Sequence, residues 1–256
     1  MPKMIFIANW KMNLGLKETV ILIKQLLGGL KKIKNNLEIV ICPSFTVLSE
    51  ASKLLKKGNI KLGSQDVFWE EKGAYTGNIS PKMLKEIGCE YVIIGHSERR
   101  QYLGETDEMA HQKIKAAIKE GLIPILCVGE TFEERQEGQK DYIIIKQVTK
   151  ALEGISLSRG QKIIIAYEPV WVIGSGQAVK PEEAEYTNQI IKQSLIDLYP
   201  RDIVEQNFRI IYGGSVDSSV IKSFVERSVI DGVLVGGASL KTKDFIKMIN
   251  KIHPVK

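Results

Sequence analysis

The stretch KIIIAYEPVWVIGSG, residues 162–176, decides how this chain is read. Ile163 to Tyr167 form an unbroken apolar run rich in β-branched residues, and a single carboxylate, Glu168, follows at its end before a proline and a glycine-containing loop. A strand with one wet face would alternate polar and apolar residues. This one does not, so it reads as a parallel strand covered on both faces.

Seven similar runs flank it: MIFIAN from residue 4, LEIVIC from 37, IKLGSQ from 60, YVIIGH from 91, LIPILCV from 122, FRIIYGG from 208 and DGVLVGG from 231. Between them lie segments of helical period. The predicted buried stripes are Val20, Ile23, Leu27 and Leu30; Ala110, Ile114, Ala117 and Ile118; Ile144, Val148, Ala151, Leu152 and Ile155; and Phe245, Met248, Ile249 and Ile252. Thr106 before two acids reads as an N-cap, and Pro181 before Glu182 and Glu183 as a first-turn proline. Eight strands alternating with helices predict an α/β chain folded as a closed (β/α)8 barrel. No linker or low-complexity tract interrupts it, so a single domain over 1–256 is expected.

Hydrophobic residues make up 44% of the 256 and charged residues 26%, a balance that supports a sizeable core and argues against disorder. The net charge is +6, which raises the question of a nucleic-acid partner. Its lysines are dispersed among acids, without the clustered basic footprint such binding needs, so no nucleic acid is expected. The apolar start MPKMIFIANWKMN is far shorter than the roughly 20 residues that span a bilayer, and no small-residue cleavage site follows it. That predicts a cytoplasmic protein with no membrane partner. Cys42, Cys89 and Cys127 lie in or beside apolar runs and read as reduced, buried thiols; neither they nor the three histidines show a metal-ligand spacing.

In a parallel barrel the C-terminal strand ends converge on one rim, which is where chemistry is sought. Those ends carry Asn9 and Lys11, His96 and Glu98, Glu168, the run Gly213-Gly214-Ser215, and the pair Gly236-Gly237. Two glycine pairs after strands seven and eight let backbone N–H groups approach an anion, the usual place for a phosphate in this architecture, although either pair alone reads equally well as a turn. Glu168, at an apolar strand end where water is excluded, suits removal of a proton from carbon beside a carbonyl; an ion-paired strand-end acid is the plainer alternative. His96 leads into SERR, so its ring can face a helix N-terminus and, kept neutral, donate a hydrogen bond to a substrate oxygen. Singly, His96, Lys11 and Asn9 are ordinary structural residues. Together, base, donor, cation and anion cradle make a reaction site.

The motifs NWKMN at 9–13, GAYTGNIS at 73–80, IIGHSERR at 93–100, AYEPVWVIGSG at 166–176, IIYGGSV at 210–216 and GVLVGGASLK at 232–241 occur in that order over essentially the whole chain. In this the chain resembles the triosephosphate isomerase family. The resemblance implies interconversion of dihydroxyacetone phosphate and D-glyceraldehyde 3-phosphate through an enediol or enediolate, in glycolysis and gluconeogenesis, with no cofactor. It implies Glu168 as base, His96 as electrophile and Lys11 as the cation holding substrate, with Asn9 beside them and Glu98 as a supporting carboxylate. Gly174, Ser215, Gly236 and Gly237 would give N–H groups to the phosphate, and residues 169–178 would form a lid on which Trp171 packs. Cys127 would pack near the base. The excursion from Phe68 to Ser80 resembles the loop through which such enzymes form homodimers. Val172, Ser175 and Gln177 depart from the family's usual alanine, threonine and lysine, and Asn78 stands where an acid is common. These departures bear on the lid and the subunit loop and leave the chemistry untouched.

Two other readings stay open on the residues. Another phosphate-binding barrel enzyme, a lyase or synthase, would keep the glycine cradle, but the Schiff-base members need a buried lysine at a strand end, and none of the eight runs ends in one. A non-catalytic sugar-phosphate binder would bind without turnover.

Overall fold

The computed structural model describes residues 4–31, 37–56, 58–173 and 178–252. The strands are β1 (Met4–Asn9), β2 (Leu37–Cys42), β3 (Ile60–Ser64), β4 (Tyr91–Ile94), β5 (Ile123–Val128), β6 (Ile163–Tyr167), β7 (Phe208–Tyr212) and β8 (Gly232–Val235). All neighbours pair in parallel, and β1 also pairs with β8 through the register Ile5↔Gly232 to Ala8↔Val235, so the sheet closes into a barrel in sequence order. The fold expected from the sequence is the fold found.

The helices among the described residues are α1 (Leu16–Gly29), α2 (Leu48–Leu55), α3 (Pro81–Glu86), α4 (Ser97–Leu103), α5 (Asp107–Lys119), α6 (Phe132–Gln136), α7 (Lys140–Leu152), α8 (Pro181–Leu198), α9 (Arg201–Asn207), α10 (Ile221–Val225) and α11 (Thr242–Ile252). Strand residues alternate between two buried compartments. Ile5, Ile7, Val40, Ile93, Ile125, Ile164, Ala166 and Leu234 fill the barrel, while Phe6, Ala8, Ile39, Ile94, Ile163 and Ile165 face the helices. Both faces are dry, which is why the strand runs show no polar alternation.

Thr106 caps α5 by accepting the N–H of Met109, and Pro181 opens α8 with Glu182 and Glu183 in its first turn, as the sequence predicts. The stripe on α1 is corrected: Thr19, Leu22, Ile23 and Leu26 are buried there with Leu30, while Val20 and Leu27 are only half-buried. The helix is turned so that the small, β-branched Thr19 sits against the core, a residue that a polar/apolar pattern assigns to solvent. Ile118 and Ile252 are likewise half-buried at the margins of their stripes.

Candidate active site

Seven of the predicted residues line one cavity of about 460 Å³ at the C-terminal rim, namely Asn9, Lys11, His96, Glu168, Ser215, Gly236 and Gly237. A larger groove of about 1010 Å³ runs between α5 and the segment at Trp69–Lys72, and none of the predicted site residues lines it.

Glu168 is 1% exposed. Its Oε2 accepts the backbone N–H of Ser97 at 3.0 Å, and its Oε1 lies 3.2 Å from His96 Nε2. The backbone there is crowded. A Cβ on Gly129 would overlap the carbonyl oxygen of Glu168, and one on Gly213 would stand 3.0 Å from its Cγ, so glycine at both positions lets β5 and β7 close around the carboxylate. The Cys127 thiol packs against Glu168; burial, then the adjoining carboxylate, pushes its pKa up, which makes it a packing group and not a thiolate nucleophile.

His96 is the N-cap of α4, and its Nδ1 accepts the N–H of Glu98 at 3.2 Å. A ring nitrogen that accepts carries no proton, so in the neutral ring the proton is on Nε2, the nitrogen that faces Glu168 and the cavity. Gly95, with φ +69°, turns the chain out of β4 just before His96. Its N–H donates to Glu105 Oε1 at 2.8 Å and its carbonyl accepts from Arg100 Nε at 2.7 Å.

Lys11 has left-handed backbone, φ +52°, unusual for a residue with a side chain. Asn9 Oδ1 accepts its N–H at 3.0 Å, and Gln65 Nε2 donates to its carbonyl at 2.8 Å while also reaching the carbonyl of Cys42. Lys11 Nζ meets Glu98 Oε1 at 2.5 Å. A Cβ on Gly236 would come within 3.3 Å of Lys11 Cε, which sets the ammonium stem beside the glycine end of the cavity. Glu98 itself is about two-fifths exposed and approaches the site only through Lys11 and His96. Gly174, and with it the lid residues Ser175 and Gln177, lie outside the described residues.

Several neighbours were not foreseen. Lys113 on α5 is buried and bonds Asp66 Oδ1 and Glu105 Oε2, each at 2.7 Å, and Arg99 joins both acids. Burial works to raise the Glu105 pKa, but Lys113 and Arg99 outweigh it, and the net shift is downward. Glu130 is fully buried and accepts from Trp171 Nε1 at 3.1 Å, with burial pushing its pKa up. Trp171, expected to pack on a closing lid, is thereby hydrogen-bonded at the lid's first turn, with the Arg135 guanidinium 4.7 Å from its ring centre. Polar residues directly after a strand run were the signal available for Gln65 and Asp66; nothing in the local pattern marks Lys113.

The loop from Phe68 to Ser80 is closed at its base by Phe68 N–H donating to the Ile79 carbonyl at 2.8 Å. Phe68 packs on Tyr75 at 4.7 Å between ring centres, while residues 70–78 are exposed. Among the described residues no helix is long and apolar enough to cross a membrane, and no group of three or more His, Cys, Asp or Glu side chains is gathered to hold a metal ion.

The arrangement offers a carboxylate, an imidazole N–H, an ammonium and glycine-rich backbone around one cavity. A family model described as Triosephosphate isomerase matches residues 4–252. The triosephosphate isomerase of Dictyoglomus thermophilum is 51% identical over 249 residues, covering 97% of this chain and 99% of that protein. That of Caldanaerobacter subterraneus subsp. tengcongensis is 47% identical over 250 residues, covering 98% and 100%. The crystal structure of triosephosphate isomerase from Bartonella henselae superposes with a TM-score of 0.85 at 34% identity, over 97% of this chain and 98% of that one. The chain belongs to the triosephosphate isomerase family.

Proposed function

We propose that Glu168 is the base, His96 the electrophile and Lys11 the substrate-holding cation of an aldose–ketose isomerisation. The reaction is the family's own, interconversion of dihydroxyacetone phosphate and D-glyceraldehyde 3-phosphate, a step shared by glycolysis and gluconeogenesis. The observation that carries the residue roles is the meeting of Glu168 and His96 Nε2 in one cavity with Lys11 and two glycine pairs.

With a triose phosphate bound, its phosphate lies at Ser215, Gly236 and Gly237, which line the cavity and whose backbone N–H groups can serve an anion. Glu168 must release one of its two present partners, Ser97 N–H or His96 Nε2, to reach the carbon that bears the acidic proton. His96 then turns its Nε2–H to the substrate carbonyl oxygen, stabilising the enediolate and passing the proton between the two oxygens. Lys11 offsets the negative charge of the intermediate, oriented by Glu98 and by Asn9. Glu168 returns its proton to the neighbouring carbon.

This reading takes the chain as one domain, 1–256, since the first and last strands of the barrel pair with each other. It also takes the protein as cytoplasmic and as a homodimer formed through Phe68 to Ser80, supported by the exposure of residues 70–78 and of the Tyr75 ring, without nucleic-acid or membrane partners. Conversion of glyceraldehyde 3-phosphate, coupled to reduction of the ketone product, tests the activity. Sedimentation of the protein with and without the tip of that loop tests the dimer.

A further inference from the structure

The cavity contains a second lysine that the mechanism above leaves unused. Its wall continues past Gly237 and Ala238 to Lys241. The chain between them is a compact 3-10 turn, Gly237–Leu240, in which the N–H and the hydroxyl of Ser239 both return to the carbonyl of Gly236, at 2.9 and 2.6 Å. That turn fixes Lys241 on the same short loop as the glycine pair. Its side chain is exposed at the mouth, and no salt bridge occupies it among the described residues.

The charges already in the site make this lysine matter. Lys11 is matched by Glu98 at 2.5 Å, and Glu168 adds a second carboxylate, so one ammonium faces two carboxylates beside His96. A phosphate dianion approaching that set meets net negative charge, which backbone N–H dipoles offset only in part. Lys241 is the other lysine among the described residues that line the cavity, and its ammonium offsets the second carboxylate.

We propose that Lys241 is a second cation for the substrate's phosphate, acting on its capture at the glycine end, and is therefore a determinant of preference for phosphorylated over unphosphorylated trioses. The proposal rests on the isomerase reading above. An exposed ammonium on a flexible four-carbon stem acts as a point charge, through a field that salt screens. Its contribution falls on capture of the ground state and the transition state alike, hence on KM and not on kcat.

The test compares the wild type with Lys241→Gln and Lys241→Arg on glyceraldehyde 3-phosphate and on unphosphorylated glyceraldehyde, at low and high ionic strength, with thermal melts to establish folding. Lys241→Gln should raise KM for the phosphorylated substrate about fivefold at low salt with kcat unchanged, and the difference should shrink as salt rises. The inhibition constant for inorganic phosphate should rise in parallel. Turnover of glyceraldehyde should not move, and Lys241→Arg should restore the wild-type KM. An unchanged KM in Lys241→Gln overturns the proposal, as do equal losses on both substrates or an arginine variant as impaired as the glutamine one. Wild-type turnover of glyceraldehyde 3-phosphate tests the isomerase reading separately: its absence sinks that reading, whereas its presence beside an unaffected Lys241→Gln sinks only the role of Lys241.

Discussion

Glu168 Oε1 and His96 Nε2 stand 3.2 Å apart, on residues 72 positions distant in sequence, so the closed barrel brings the acid and the imidazole into contact. In the isomerisation proposed above each exchanges a protein partner for a substrate atom, so small displacements of either group should change the rate.

Shortening the carboxylate exposes this directly. Glu168→Asp withdraws the base by one methylene, and turnover should fall about a hundredfold or more while KM changes little. A coupled steady-state assay decides it; near-normal kcat would remove Glu168 from the role of base.

Gly129→Ala places a methyl group against the Glu168 carbonyl oxygen, which is backbone and cannot swing aside. The variant should lose about 1–3 kcal/mol of stability and a large part of its activity together. Denaturant titration alongside the assay separates the two effects, and a fully active, equally stable alanine variant would contradict the packing described.

Gln65→Ala removes both donors that reach the Lys11 and Cys42 carbonyls and frees a backbone held at φ +52°. Lys11 should then sample other conformations, and KM for the triose phosphate should rise about tenfold with a smaller drop in kcat. Equal KM values for the two proteins would show that Asn9 and Glu98 suffice.

The Glu105 cluster makes a pH prediction. Its folded pKa is lowered, so the stability it contributes is present above the unfolded carboxylate value of about 4.3 and is lost as pH falls through the lower folded one. Glu105→Gln should be destabilised by about 3 kcal/mol at neutral pH, because Lys113 keeps only Asp66 as a carboxylate partner. The gap between the two proteins should narrow in acid; a gap constant from pH 7 to pH 3 would assign the effect to packing instead.

The barrel was legible because its strands are dry on both faces, which leaves runs such as Ile163–Tyr167 that no amphipathic helix produces. The rim residues were legible for a related reason: a polar side chain at the end of such a run has nowhere to point but the mouth. Lys113 was not legible. Its pattern position on α5 looks like any solvated lysine, and the acids that neutralise it, Asp66 and Glu105, come from other elements. Thr19 was missed because a threonine methyl against the core counts as polar in a pattern of residue types. Gly129 and Glu130 were missed because GETFEER reads as a surface turn, while tertiary packing alone puts Glu130 under Trp171.

Closure of the ring through β1 and β8 orders events in biosynthesis. Lys11 leaves the ribosome long before Gly236, the residue beside which its stem comes to rest. A chain not yet translated through β8 therefore lacks the wall of the cavity that Lys11 faces.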